Sequence, residues 1–183
     1  MNIKIGQHLI IGLLLAAMPL IVSAEEGEAA HQIGIAAYAS GVDYENQFAA
    51  DDAFSGAGFF YTGAVNNNVA LRVGLFSGDY DGDESVFDGM EASGHDMSIL
   101  LGGNLKQEGF KGYVGLGFFS EKWEKGSFSQ TFSGTQIGLG IGYNIKSVAF
   151  DLWVNARDAS DYEDYWGVSA SAVSSGLMVS ARF

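Results

Sequence analysis

The chain has 183 residues and a formal net charge of -13, with 48% hydrophobic residues, only 17% charged ones and no Cys. So acidic a balance excludes nucleic-acid binding, which relies on a basic footprint. The lack of Cys excludes a disulfide-stapled secreted scaffold, and so apolar a chain must hide its side chains by alternation or in a large core.

Met1–Gln7 carries one basic side chain, Lys4, and His8–Val22 is almost wholly apolar. Val22-Ser23-Ala24 then places small residues ahead of the acidic Glu25-Glu26. The pattern predicts an export signal over 1–24, removed to leave 25–183 as a single domain. About 15 apolar residues are too few for a membrane helix, which needs about 20. The only Pro, Pro19, falls inside this signal. A proline-free remainder suits a sheet without edges, because proline cannot donate to a central ladder.

Alternation of period two then predicts strands, whose two faces differ. His31–Ser40 puts Ile33, Ile35, Ala37 and Ala39 on one face. Ala53–Thr62 is extended, with Ala57, Phe59 and Tyr61 read as outward and Gly56 and Gly58 as inward. Val69, Leu71, Val73 and Leu75 alternate with Ala70, Arg72 and Gly74; Met97, Ile99 and Leu101 with Ser98 and Gly102. Val114, Leu116 and Phe118 oppose Tyr113, Gly115 and Gly117, and Ile137, Leu139 and Ile141 oppose Gly138, Gly140 and Gly142. Val148, Phe150, Leu152 and Val154 alternate with Asp151, Trp153 and Asn155, and Leu177, Val179, Ala181 and Phe183 share the last face.

The connections decide the architecture. Gly63–Asn68, Lys106–Gly109 and Asn144–Ser147 are short, whereas Gly41–Asp52, Gly78–His95, Lys122–Ser129 and Asp158–Trp166 are longer and polar. Short turns at one end and long loops at the other predict an all-β fold: a closed antiparallel transmembrane β-barrel of about eight strands, with short periplasmic turns and longer extracellular loops. In hydrocarbon every backbone N–H and C=O needs a partner, so a sheet can span only as a closed barrel. The face opposite the apolar one is Gly, Ser, Asn and Gln with an occasional charge, which suits a narrow lumen better than the solvated outside of a soluble barrel.

The terminal stretch Leu177-Met178-Val179-Ser180-Ala181-Arg182-Phe183 resembles the last strand of outer-membrane β-barrels, which typically end in Phe after alternating apolar residues. With the signal and the eight segments, the chain resembles the small eight-stranded group that includes OmpX/Ail-like proteins and the OmpA membrane domain. The resemblance implies the bacterial outer membrane as the location, outer-membrane lipid and lipopolysaccharide as surroundings, and recognition by the barrel-assembly machinery through the strand ending in Phe183. Members range from adhesins and serum-resistance factors to lipid-modifying enzymes, so the fold leaves the function open.

Inside, Arg72, Lys111, Glu121, Asp151, Arg157 and Arg182 share the inward parity. A charge in a narrow lumen is costly unless paired, so Asp151, Arg182 and Arg72 are the ion-pair candidates, with Asp151 and Arg182 expected as cross-strand partners. This predicts a salt-bridged plug in preference to an ion-conducting lumen. The inward glycines Gly102, Gly115, Gly117, Gly138, Gly140 and Gly142 leave a bare wall that Tyr113, Phe119, Trp153 and Met178 can pack, or that leaves a pocket for an apolar ligand. Glu91, Ser93 and His95 share one face in the manner of a hydrolytic triad, but a faintly similar lipid A deacylase pattern places His before Ser with one residue between, and here the order is reversed. Asp79, Asp81 and Asp83 begin like an EF-hand, which Glu84 at position six and Met90 at position twelve exclude. Tyr162 and Tyr165, together with Asp79, Asp81 and Asp83 of the other acidic loop, read as contacts for an external protein or glycan, and Trp166 as part of an interfacial girdle. The expectation is therefore a non-enzymatic surface barrel without cofactor, whose acidic, aromatic loops meet an external partner. The alternatives are a small pore or apolar-ligand carrier and, third, a lipid-modifying hydrolase at Ser93.

Overall fold

The computed structural model describes residues 28–45, 51–82 and 87–183; the expected signal over 1–24 and Asp83 lie outside them. Eight strands follow in order: β1 (His31–Tyr44), β2 (Asp52–Ala64), β3 (Val69–Tyr80), β4 (Glu91–Gly103), β5 (Gly109–Lys125), β6 (Phe128–Asn144), β7 (Val148–Arg157) and β8 (Ala170–Arg182). A helix, α1 (Ser160–Trp166), precedes the last strand. Each strand pairs antiparallel with its sequence neighbour, and β8 closes on β1, so that Ile35 lies between Phe59 of β2 and Val179 of β8. Within the ring no edge is left for the membrane to meet.

The alternation sorts the side chains. Leu75, Ile99, Phe118, Leu139, Leu152 and Leu177 all stand exposed on the outer wall. A continuous apolar band around a closed sheet is stable only against hydrocarbon. The ambiguous second strand follows its expected facing, with Phe59 outward and Gly58 buried. At the short-turn end Asn66 Oδ1 accepts the N–H groups of Asn68 and Val69, at 2.8 and 2.9 Å, which fixes the β2–β3 turn. The chain end is fastened there too: Phe183 exchanges backbone hydrogen bonds with His31, and the two rings stack.

Two segments differ from expectation. Lys122–Ser129 is not a loop: β5 and β6 run 17 residues each and meet in a tight turn at Gly126, whose φ is 60°. A tilted span needs only about 9–11 residues, so this hairpin rises well clear of the membrane. Its outward residues Ser120, Lys122 and Glu124 face water, while Phe119, Glu121 and Trp123 point inward. Asp158–Trp166 likewise contains α1, which Gly167 ends in the left-handed conformation at φ 70°.

Candidate functional site

The lumen holds two charged clusters. In the first, Asp151 receives Arg72 Nη2 at 3.1 Å and pairs with Lys111 Nζ at 2.8 Å. Tyr113 lies between them: its hydroxyl accepts from Arg72 Nη1 at 2.8 Å and donates to Asp151 Oδ1 at 3.1 Å. Arg72 Nε donates to Thr62, and Lys111 Nζ to Gln32. Arg182 does not join Asp151, contrary to expectation. The register sets Asp151 opposite Met178, so Arg182 stands at the turn end, where its guanidinium donates to the Lys106 carbonyl at 2.6 Å and to the carbonyl of Ile145. Turn carbonyls lack ladder partners, and a long cationic side chain satisfies them.

The second cluster lies nearer the long-loop end. Glu121 Oε2 accepts from Arg157 Nη1 at 3.0 Å and its Oε1 from Trp123 Nε1 at 2.6 Å. Arg157 also donates to the Tyr38 hydroxyl and covers the Phe119 ring, 4.4 Å from its centroid. Both clusters are buried, where deleting one partner of a charged pair costs about 3–5 kcal/mol.

Of the glycine wall expected from the sequence, Gly140 lies under a ring, while Gly138 is met by Asn155 and Gly142 by Lys111; rings also cover three further glycines. Phe60 lies over Gly58 and Gly74, Tyr113 over Gly140, and Trp153 over Gly176; a Cβ at any of these glycines would fall 2.2–2.4 Å from the ring. Packing, not a ligand pocket, is what these glycines allow. Between the two charged clusters remains a cavity of about 10 Å³, the size of one water.

The outer end carries a core of its own. Val42, Tyr44, Phe54, Met90, Trp123, Phe132 and Tyr162 pack together above the lumen, with the Phe132 and Tyr162 rings stacked 4.3 Å apart. Tyr162, expected as an exposed contact, is 0% exposed, because α1 lowers it onto the barrel mouth. Tyr165 is 43% exposed, its ring edge-on to Phe132 and Trp166. Asp52 is buried beneath this cap, accepting the Tyr44 hydroxyl at 2.9 Å, and burial lifts its carboxyl to about 6.

The rim is acidic. Asp43, Glu45, Asp79, Asp81, Asp88, Glu91, Glu124, Asp158 and Asp164 are exposed around it, while the nearby cation Lys122 is tied to Glu124 at 2.6 Å. Asp81 accepts from Ser55 at 3.3 Å, and Asp161 accepts the Ser133 N–H at 2.8 Å. The β6–β7 ladder stops at Gln136 and Arg157, but β6 continues to Phe128 with β5 as its only strand partner. Ser133 N–H bonds Asp161, and the Thr135 carbonyl bonds Asp158 N–H, so these residues turn their backbone away from β5. Thr131 and Ser129, in the same phase, therefore turn their N–H groups to a short outer edge, where the Thr131 carbonyl takes Gln130 Nε2 at 3.4 Å. Glu91, Ser93 and His95 stand exposed on the outer wall of β4, and no hydrogen bond joins the three. No group of three or more metal-ligating side chains forms among the described residues.

Against known proteins, no family model matches the chain. No curated protein matches it either. Solved structures do match. One is Ail, the attachment invasion locus protein of Yersinia pestis, with 19% identity, a TM-score of 0.56, and coverage of 87% of this chain and 100% of that one. Another is Neisserial surface protein A, at 13% identity and a TM-score of 0.56, covering 86% and 100%. A third is the outer membrane protein OprG from Pseudomonas aeruginosa, at 15% identity and a TM-score of 0.51, covering 86% and 97%. The fold is that of the small eight-stranded outer-membrane barrels.

Sequence reasoning missed several residues that matter in this barrel. Asp96, buried between the charged clusters, lies on a strand whose inward residues attract little notice one by one. Trp123 falls in the stretch expected to be a loop, and Phe132 in the residues between that loop and the expected sixth strand, because polarity on the outward face of the rising hairpin resembles a loop composition. The signal that could have found them is inward alternation of aromatic residues continuing past the apolar belt.

Proposed function

We propose that the chain is a non-enzymatic surface barrel of the bacterial outer membrane, of adhesion or surface-protection type, whose outer end holds an external protein or glycan. On this reading residues 1–24 direct export, 25–183 form the mature barrel, and the strand ending in Phe183 is what the assembly machinery recognises. The observation that carries the reading is where the polar chemistry lies: the lumen is filled, and the groups left open are those of the raised outer end. Asp79 and Asp81 on the rim, Tyr165 on α1 and the free edge at Ser129 and Thr131 are the contact residues. A sheet edge takes up an extended segment, and an exposed aromatic supplies the buried anchor of an interface.

Ail has also been solved in complex with the heparin analogue sucrose octasulfate. The acidic rim of this chain would repel so sulfated a ligand, so its partner differs in charge. The test is adherence to epithelial cells, and survival in serum, of bacteria displaying the wild type or a variant carrying Thr131→Pro, Tyr165→Ala, Asp79→Lys and Asp81→Lys. Loss of both phenotypes with an intact barrel is the expected result. Full retention of both by the variant would contradict the reading.

A further inference from the structure

Asp96 is the lumen acid that the charged clusters leave aside. It is 4% exposed and lies in the wall of the small cavity, together with Ser98, Gly115, Gln136, Asn155 and Arg72. Its Oδ2 has no hydrogen-bond partner, and neither has Gln136 Oε1 in the same wall. Three of the side chains lining this space have their nitrogen donors engaged elsewhere: Arg72 with Thr62, Tyr113 and Asp151, Gln136 Nε2 with Ser98, and Asn155 Nδ2 with Ser174. Two buried acceptors without a donor are costly, and buried polar groups in native proteins are nearly always satisfied.

We propose that this cavity is a binding site for a single water molecule, which donates one hydrogen bond to Asp96 Oδ2 and the other to Gln136 Oε1. The space of about 10 Å³ admits one such molecule. Charge favours water over a cation. Arg72, Lys111 and Arg157 in this part of the lumen face no more than three carboxyl groups among the described residues, Asp96, Glu121 and Asp151, so a cation would add an uncompensated charge beside the guanidinium groups. The water would tie Asp96 of β4 to Gln136 of β6 across the lumen between the two clusters. Arg157 lies directly across the ladder from Gln136 but outside the cavity's lining, so it does not supply the missing donor.

Gly115 offers the probe. A Cβ there would lie 3.4 Å from Leu100 Cδ2 and 3.9 Å from the Ser98 Cβ, ordinary contacts, so Gly115→Ala adds a methyl to the cavity wall without strain. If water occupies the site, the methyl expels it and strips both acceptors of their donor. The denaturant midpoint of the refolded barrel should then shift down, and Gly115→Ser, which brings its own hydroxyl, should recover part of the shift. An unchanged or higher midpoint for Gly115→Ala marks a dry cavity that was simply filled, and overturns the proposal. Repeating the wild-type measurement with choline chloride in place of sodium chloride should leave the midpoint where it was. A drop on removing sodium identifies a cation instead and overturns it as well.

Discussion

Asp52 shows how one residue reports on the outer cap. It lies at the start of β2, above the apolar belt, with the Tyr44 hydroxyl as its donor and the aromatic cap over it. Burial raises its folded carboxyl to about 6, above the ordinary value near 4 that it regains on unfolding. Folding therefore takes up a proton, and the stabilisation is complete below about pH 4 and lost as pH rises through about 6. Urea unfolding of the wild type should weaken across that window more steeply than that of Asp52→Asn, which keeps an acceptor for Tyr44 and cannot ionise. Parallel pH profiles for the two would contradict this placement of Asp52. The contrast with Asp158 follows from environment alone: its exposed carboxylate accepts from Ser160 N–H and Oγ, and is held below the usual range.

At the scale of elements, the hairpin of β5 and β6 together with α1 makes the outer end more than a set of loops. Tyr162 joins them, stacked on Phe132 and tilted against Trp123 at 5.6 Å. Tyr162→Ala should cost about 3–5 kcal/mol, as other large buried aromatics do, and open the hairpin to protease. Tyr162→Phe should cost far less, since the hydroxyl reaches Glu121 only at 3.4 Å. An alanine variant as stable and as protected as the wild type would show that the cap is not a core. The spans themselves were legible in the sequence, because one face meets lipid and the other the lumen; Leu71 against Arg72 is such a contrast. Above the belt that contrast changes sign. Ser120, Lys122 and Glu124 face water while Trp123 turns inward, so the same period of two reads as a polar loop unless its inward member is followed. Tyr162 was hidden for a related reason, since acids on both sides of it concealed a helix lying flat on an aromatic floor. The inward parity of Asp151 was legible, but its partner was not. Strand registers fix which charges share a level, and the sequence alone does not reveal that Asp151 meets Arg72 and Lys111 from strands β3 and β5 while Arg182 stops at the turns.

On the scale of the whole molecule, the closed sheet divides space three ways: an apolar wall for the membrane, a lumen filled by two ion-paired clusters and packed rings, and an outer end that keeps its acids, Tyr165 and a strand edge open. Eight strands enclose a space that side chains can fill, and here two ionic clusters and three aromatic rings laid on glycines fill it. The central claim is that the barrel is a sealed scaffold and the outer end its working surface. Single-channel recording of the refolded protein in a planar lipid bilayer tests that claim most directly. The account predicts no steady conductance from protein shown to be folded by its resistance to denaturation in detergent. Discrete, reproducible openings from the same preparation would contradict it, and would move the function from the rim into the lumen.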